Sequence, residues 1–161
     1  MPGSPEQRLA DAGLALPRVV APVGVYVPVV GSGDLLFSSG QVALADGQLV
    51  AVGKLGEQVT TEQGYACARQ CALNILAAIS AHLGGLETVQ RVVMLTVFVA
   101  ASAGFTELPQ VADSASELFE TVFGDGGRPA RSAVGVTSLP LDAAGEIGTV
   151  VQLHHRDLCP S

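Results

Sequence analysis

The sequence predicts an α+β fold, a two-layer sandwich in which two long helices cover one face of a mixed β-sheet. Two observations carry this. Apolar residues recur at helical spacing within 60–85 and again over 108–123, whereas β-branched runs fill 91–101 and most of 131–153. The resulting order is strands, helix, strand, helix, two strands, and its natural packing lays the helices on a single face of the sheet.

Each element follows from local chemistry. In "SPEQRLADAGLALP" Ser4 can cap, Pro5 suits the first helical position, and Gly13 with Pro17 ends a short helix or turn. Residues 1–22 therefore read as an N-terminal extension, an appendage to one domain spanning 1–161. From Val23 to Gly40, "VGVYVPVVGSGDLLFSSG" predicts two short strands joined by a tight turn at "GSGD". "QLVAVGK" is a further extended piece. The first long helix opens on Thr60 and Gln63 at capping-box spacing and closes at Gly84–Gly85, with Ala68, Ala72, Ile75, Leu76, Ile79 and Leu83 forming its inward stripe. "RVVMLTVFVAA" is too continuously apolar for a surface strand, which places it inside the sheet. A second helix runs from Leu108 to Phe123, with Val111, Leu118, Phe119 and Val122 inward, and "RSAVGVTSL" and "EIGTVVQLHH" supply the last strands.

Composition limits the function. Of 161 residues 48% are apolar, 4% aromatic and 14% charged, so little polar material is left to cover a monomer and a subunit interface is expected. A net charge of −7 on a chain with only 8 Lys and Arg opposes a phosphate backbone, so no nucleic-acid partner is expected. The longest apolar stretches fall short of the ~20 residues a bilayer requires, so no membrane span is expected. "MPGSPEQRLA" has neither a basic n-region nor an apolar h-region, and the expected compartment is the cytoplasm. Cys67, Cys71 and Cys159 are too few and too irregular for a disulfide framework; Cys67 and Cys71, one helical turn apart, read as small buried residues rather than a metal pair. His82, His154 and His155 read as surface residues. P-loop, GxGxxG, HExxH and GxSxG signatures are absent from the sequence.

What remains is Arg131, at the head of an apolar strand in "RPARSAVGVTSLP". This stretch resembles the Pro-Ala-Arg-Ser…Leu-Pro signature of the Rid (RidA/YjgF) family. "FSSGQVAL" resembles that family's Ser-Gly-Gln strand end, "VGVYVPVV" its early Gly-x-Tyr segment, "RVVMLTVFV" its central strand, and "LPLDAAGEIGTVV" its final strand with a Glu near the start. The pieces fall in the family's order over about residues 23–153, and the N-terminal extension is similar to a longer branch.

The resemblance implies a chorismate-mutase-like fold, a homotrimer with clefts between subunits, and cofactor-free hydrolysis of reactive imines and enamines derived from amino acids to 2-keto acids and ammonia. The ligand is then a small anion, a 2-imino or 2-keto acid, and no metal is involved. Arg131 would grip the substrate carboxylate as a planar fork. Glu146 would activate water at the C=N carbon and relay a proton to nitrogen. Ser39 and Gly40 would offer a hydroxyl and backbone N–H groups, Tyr26 would wall the cleft, and Ala133 and Asp113 would complete the substrate-binding set. Asp113 stands where the family has an Asn, and Gly135 and Gly148 stand where shorter members carry acids, which widens the cleft. The alternative function is a non-catalytic trimer that binds or senses small carboxylates; it would need Arg131 but not Glu146. A ribonuclease is disfavoured by the acidic composition.

Simple geometry constrains the pair. If 139–144 close a hairpin, Arg131 lies roughly 20 Å from Glu146 at ~3.3 Å per residue. Either these strands are not partners or the two residues meet across different chains.

Overall fold

The computed structural model describes residues 3–155. Helix α1 (Pro5–Asp11) is followed by strands β1 (Val29–Ser32), β2 (Leu35–Ser38), β3 (Gln41–Val42), β4 (Leu44–Ala45) and β5 (Gln48–Leu49). Helix α2 (Thr61–Leu83), strand β6 (Val89–Ala100), helix α3 (Leu108–Phe123), strand β7 (Ala130–Val136) and strand β8 (Gly145–Leu153) follow. The main sheet has the order β1-β2-β8-β6-β7, with β3 also on β8, while β4 and β5 form a separate small ribbon. β6 pairs in parallel with β7 and antiparallel with β8, so the sheet is mixed as expected.

Helix α2 forms where its sequence says it should. Thr60 Oγ1 accepts from the Gln63 N–H and the Gln63 side chain accepts from the Thr60 N–H, which satisfies two of the otherwise unpaired donors at the helix start. The chain leaves the helix through Gly84 at φ 79°, a left-handed conformation that suits glycine. Its buried face, including Ile75, Leu76 and Ile79, joins Leu118 and Phe119 of α3 over the alternate residues Leu95, Val97 and Val99 of β6 and Ile147 and Val151 of β8. The other face of the sheet carries Met94, Thr96 and Phe98 of β6 and Glu146, Gly148 and Val150 of β8, all partly exposed.

Two expectations are corrected and two readings are refined. β7 and β8 are not hairpin partners, because β6 lies between them. The α3 crossover returns the chain parallel to β6, and residues 137–144 then pass over the end of that strand, where Ala101 N donates to Val136 O (3.2 Å) and Ala100 N to Ala144 O (3.0 Å). The run from Val23 to Val27, which includes Tyr26, is exposed loop rather than strand; Pro22 and Pro28 bracket it and cannot donate to a ladder. "QLVAVGK" pairs as a strand only at Gln48–Leu49, with one isolated bridge from Val52 to Ala143.

The N-terminal segment is no appendage. Leu9 is 3% exposed and belongs to the core, Arg8 Nη1 donates to Val122 O (3.2 Å), and Leu86 N donates to Glu6 Oε1 (2.6 Å). Leu9→Ala is therefore expected to lower stability by about 2–3 kcal/mol, as burial of a leucine in a cavity-forming site implies. Thermal unfolding of the two proteins checks this; an unchanged midpoint would mean that α1 is only loosely docked.

Candidate functional site

The expected site residues fall into two clusters. On β7, an edge strand, Arg131 lies opposite Leu95 and so projects to the helix-covered side. Its Nη1 donates to Asp113 Oδ1 (2.9 Å) and to Ser116 Oγ (3.1 Å), both on α3. The guanidinium is thus anchored to its own chain, and Asp113, expected to face substrate, is the acid that anchors it. Nε and Nη2 have no hydrogen-bond partner among the described residues, so a two-donor edge remains available. In front lies a pocket of about 290 Å³ whose lining includes Asp113, Ser116, Glu117, Glu120 and Arg128. Glu120 is held by Arg128 (Nη2 to Oε1 2.5 Å), and the Tyr65 hydroxyl donates to Glu117. Ala133, also on the helix side of β7 and opposite Val97, packs against the core rather than lining this pocket.

The second cluster is on the open face. Glu146 pairs across β6 with Phe98 and across β3 with Val42. It borders a depression of about 300 Å³ with Phe37, Ser38, Gly40, Phe98 and Gly148. Burial raises the Glu146 carboxyl above its ordinary range, and no cation lies within ion-pair distance of it among the described residues. A Cβ at Gly40 would overlap Glu146 Oε1 and come within 2.9 Å of its Cδ, so the carboxylate rests where it does only against a bare Cα. That contact is the close approach for which the missing side chain makes room.

Ser39 does not face the depression as a free hydroxyl. Its Oγ donates to Val27 O (2.6 Å) and its N–H to Pro28 O (2.8 Å), which ties the 23–28 loop to the sheet. Ser38 takes the polar place beside β8, its Oγ accepting from Thr149 N (2.9 Å). Tyr26 is 53% exposed, with its ring close over Gly24. Asn74, buried on α2, donates to Val42 O and Leu44 O (both 3.0 Å) and so fixes the chain that follows Gly40. A lone Asn in an otherwise apolar helical stripe is the sequence signal for that role. Ser116 has none, being one of several small polar residues on α3.

Neither cysteine competes as a nucleophile. Burial pushes the Cys67 thiol up to about 11 and also raises that of Cys71, and both pack in the core. Cys159 lies outside the described residues. Among the described residues no group of three or more His, Cys, Asp or Glu converges to hold a metal ion. No helix there is long and apolar enough to cross a membrane.

Within one protomer Arg131 and Glu146 cannot share a small ligand. They are two strands apart and three register positions apart, about 14 Å between Cα atoms at ~4.8 Å between strands and ~3.3 Å per residue. Their side chains also leave opposite faces of the sheet.

A mixed sheet covered on one face by two helices, with an anchored arginine on its edge strand and a carboxylate on its bare face, defines an α+β protein of the YjgF/chorismate-mutase-like class. The chain belongs to the YjgF (RidA) family: the model described as "YjgF/chorismate mutase-like, putative endoribonuclease" matches residues 6–152. The chain is 45% identical to protein TCP17 of Trypanosoma cruzi over 148 residues, 91% of this chain and 92% of that one. It is 28% identical to the 2-iminobutanoate/2-iminopropanoate deaminase of Dermatophagoides farinae over 138 residues, 86% of this chain and 93% of that one. A crystal structure of a protein of unknown function from Agrobacterium tumefaciens superposes with a TM-score of 0.87 at 40% identity, covering 92% of each chain. The family match begins inside α1, in keeping with a helix that is part of the domain.

Proposed function

We propose that the protein hydrolyses 2-imino acids and their enamine tautomers to 2-keto acids and ammonia, in clefts that form where copies of the chain meet, with a trimer as the assembly. The observation that carries this reading is Glu146: a half-buried carboxylate, raised by burial and without an ion-pair partner among the described residues, set against the bare Cα of Gly40. A group tuned in that direction is suited to exchanging protons near neutral pH. Arg131 of a second copy supplies the missing positive charge. Val23, Val25, Val27, Val30, Phe37 and Val134 are all exposed and give such copies apolar surface to bury.

The free edge of Arg131 holds the carboxylate of R–C(=NH₂⁺)–COO⁻. Glu146 takes a proton from water as the water oxygen bonds to C2, forming a carbinolamine, and returns it to nitrogen; the C–N bond then breaks, and the departing ammonia takes the proton of the C2 hydroxyl, which becomes the keto oxygen. The products are R–CO–COO⁻ and NH₄⁺. The deaminase named among the relatives supports this chemistry. The endoribonuclease in the family's description gains no support from a chain with a net charge of −7.

The test generates imines in situ with an amino-acid oxidase and traps them with semicarbazide. Added protein is expected to lower semicarbazone yield and raise free keto acid. Unaltered yield at any protein concentration would leave only carboxylate binding. Gly40→Ala should fold normally by circular dichroism yet hydrolyse imines on the order of 100-fold more slowly, because the carboxylate is displaced. Undiminished turnover would remove Glu146 from the reaction.

A further inference from the structure

We infer that Asp113 makes the Arg131 pocket selective for net-neutral, zwitterionic acids over simple carboxylate anions. This rests on the deaminase reading of the same site and narrows it to the charge state of the ligand. The lining sets three carboxylates, Asp113, Glu117 and Glu120, against two guanidiniums, Arg128 and Arg131. Arg128 and Glu120 satisfy one another (Nε to Oε1 2.7 Å). Arg131 is then left facing Asp113 at 2.9 Å, with Glu117 close by.

Asp113 holds Arg131 through one oxygen, and its side chain is 50% exposed. Its Oδ2 has no hydrogen-bond partner among the described residues. A carboxylate that docks on the free edge of Arg131 therefore comes to rest a few ångströms from a second carboxylate. A bare anion is repelled there. A ligand with a cationic nitrogen next to its carboxylate meets Asp113 with the opposite sign and is held at both ends.

A protonated 2-imino acid is such a ligand, and the keto acid it becomes is not. Hydrolysis takes the bound molecule from zero charge to minus one while the ammonium ion leaves. The same aspartate that favours the substrate thus opposes retention of the product. Asp113 acts on the ligand directly as a specificity residue, and its share in anchoring Arg131 is separable from that effect because Ser116 also accepts from Nη1 (3.1 Å).

The experiment uses the full-length protein and two ligands of one carbon skeleton, L-alanine and pyruvate, titrated by NMR or calorimetry. Wild type is expected to bind alanine about tenfold more tightly than pyruvate, the effect of one nearby charge partly screened by solvent. Asp113→Asn, which keeps the shape and can still accept from Arg131, should bring the two affinities level or reverse them. It should also make pyruvate a clear inhibitor of imine turnover. Glu117→Gln, further from the guanidinium, should move the ratio the same way by a smaller factor.

Equal affinities in wild type, or a ratio unchanged by Asp113→Asn while Arg131→Ala abolishes both, would overturn the inference and leave the carboxylate grip standing. Binding of neither ligand, together with no imine turnover, would overturn the deaminase reading and with it this one.

Discussion

Arg131→Ala is expected to lower kcat/KM for 2-imino acids on the order of 10²–10³-fold, the effect of losing two charge-assisted hydrogen bonds to a carboxylate. The fold should survive, because Arg131 lies on an edge strand and its guanidinium hydrogen-bonds only to Asp113 and Ser116 among the described residues. Arg131→Lys separates charge from shape: an ammonium keeps attraction to the substrate but not the flat two-donor edge, so it should recover only part of the loss. Steady-state rates with oxidase-generated imines measure both variants. Wild-type activity in Arg131→Ala would mean that the carboxylate is held elsewhere.

The second large effect is at Glu146. Glu146→Gln should reduce turnover on the order of 10²–10⁴-fold, as expected when a group that moves protons is removed. The same variant tests the carboxyl's environment through stability. Burial raises the folded-state pKa above the ordinary 4.5, so the folded chain binds this proton more tightly than the unfolded chain. The resulting stabilisation is complete below the unfolded value and is lost as pH rises through the folded one. Wild type should therefore lose stability relative to Glu146→Gln as pH climbs from about 4.5, and the variant should have the higher unfolding midpoint at neutral pH. If Glu146 acts as the base, wild-type kcat/KM also rises with pH through that folded-state value, and this limb is absent from the variant. Parallel midpoint curves for the two proteins would show that the carboxyl is not desolvated.

Much of the fold is legible in the residues because local and long-range preferences agree. Thr60 and Gln63 cap α2 in the structure as their spacing predicts, and Leu108–Phe123 is the helix that its stripe of Val111, Leu118, Phe119 and Val122 describes. The run around Val92–Val99 is central because a strand without polar alternation must be covered, and it sits between β7 and β8. Pairing is where sequence reading stops. "RSAVGVTSL" and "EIGTVVQLHH" are close in the chain, yet they are separated by a strand some thirty residues upstream of the first, and nothing in either segment encodes that. A hairpin would hold Arg131 and Glu146 roughly 20 Å apart; of the two alternatives that spacing leaves, the structure has the one in which the strands are not partners.

The candidate site was legible to a similar depth. Arg131, Glu146 and Gly40 could be picked out from motifs, and the contact between Gly40 and Glu146 gives one of them a physical reason. The Arg131–Asp113 bond could not be seen, because it joins an edge strand to a helix eighteen positions away through side chains alone. Valine and tyrosine favour strands, which predicts one through Tyr26, but Pro22 and Pro28 outweigh that preference. Ser39 and Ser38 are indistinguishable in "FSSG"; only alternation along β2 assigns one to the loop and the other to β8.

The partition of Arg131 and Glu146 between two sides of a sheet has an evolutionary corollary. Neither residue's packing depends on the other within a protomer, so on the roles proposed for them a lineage can discard the proton-moving group by a single substitution and still inherit an intact acid clamp. Descendants of one ancestor can thus diverge into catalysts and mere carriers with almost no remodelling of the scaffold, and their backbones alone would not tell them apart.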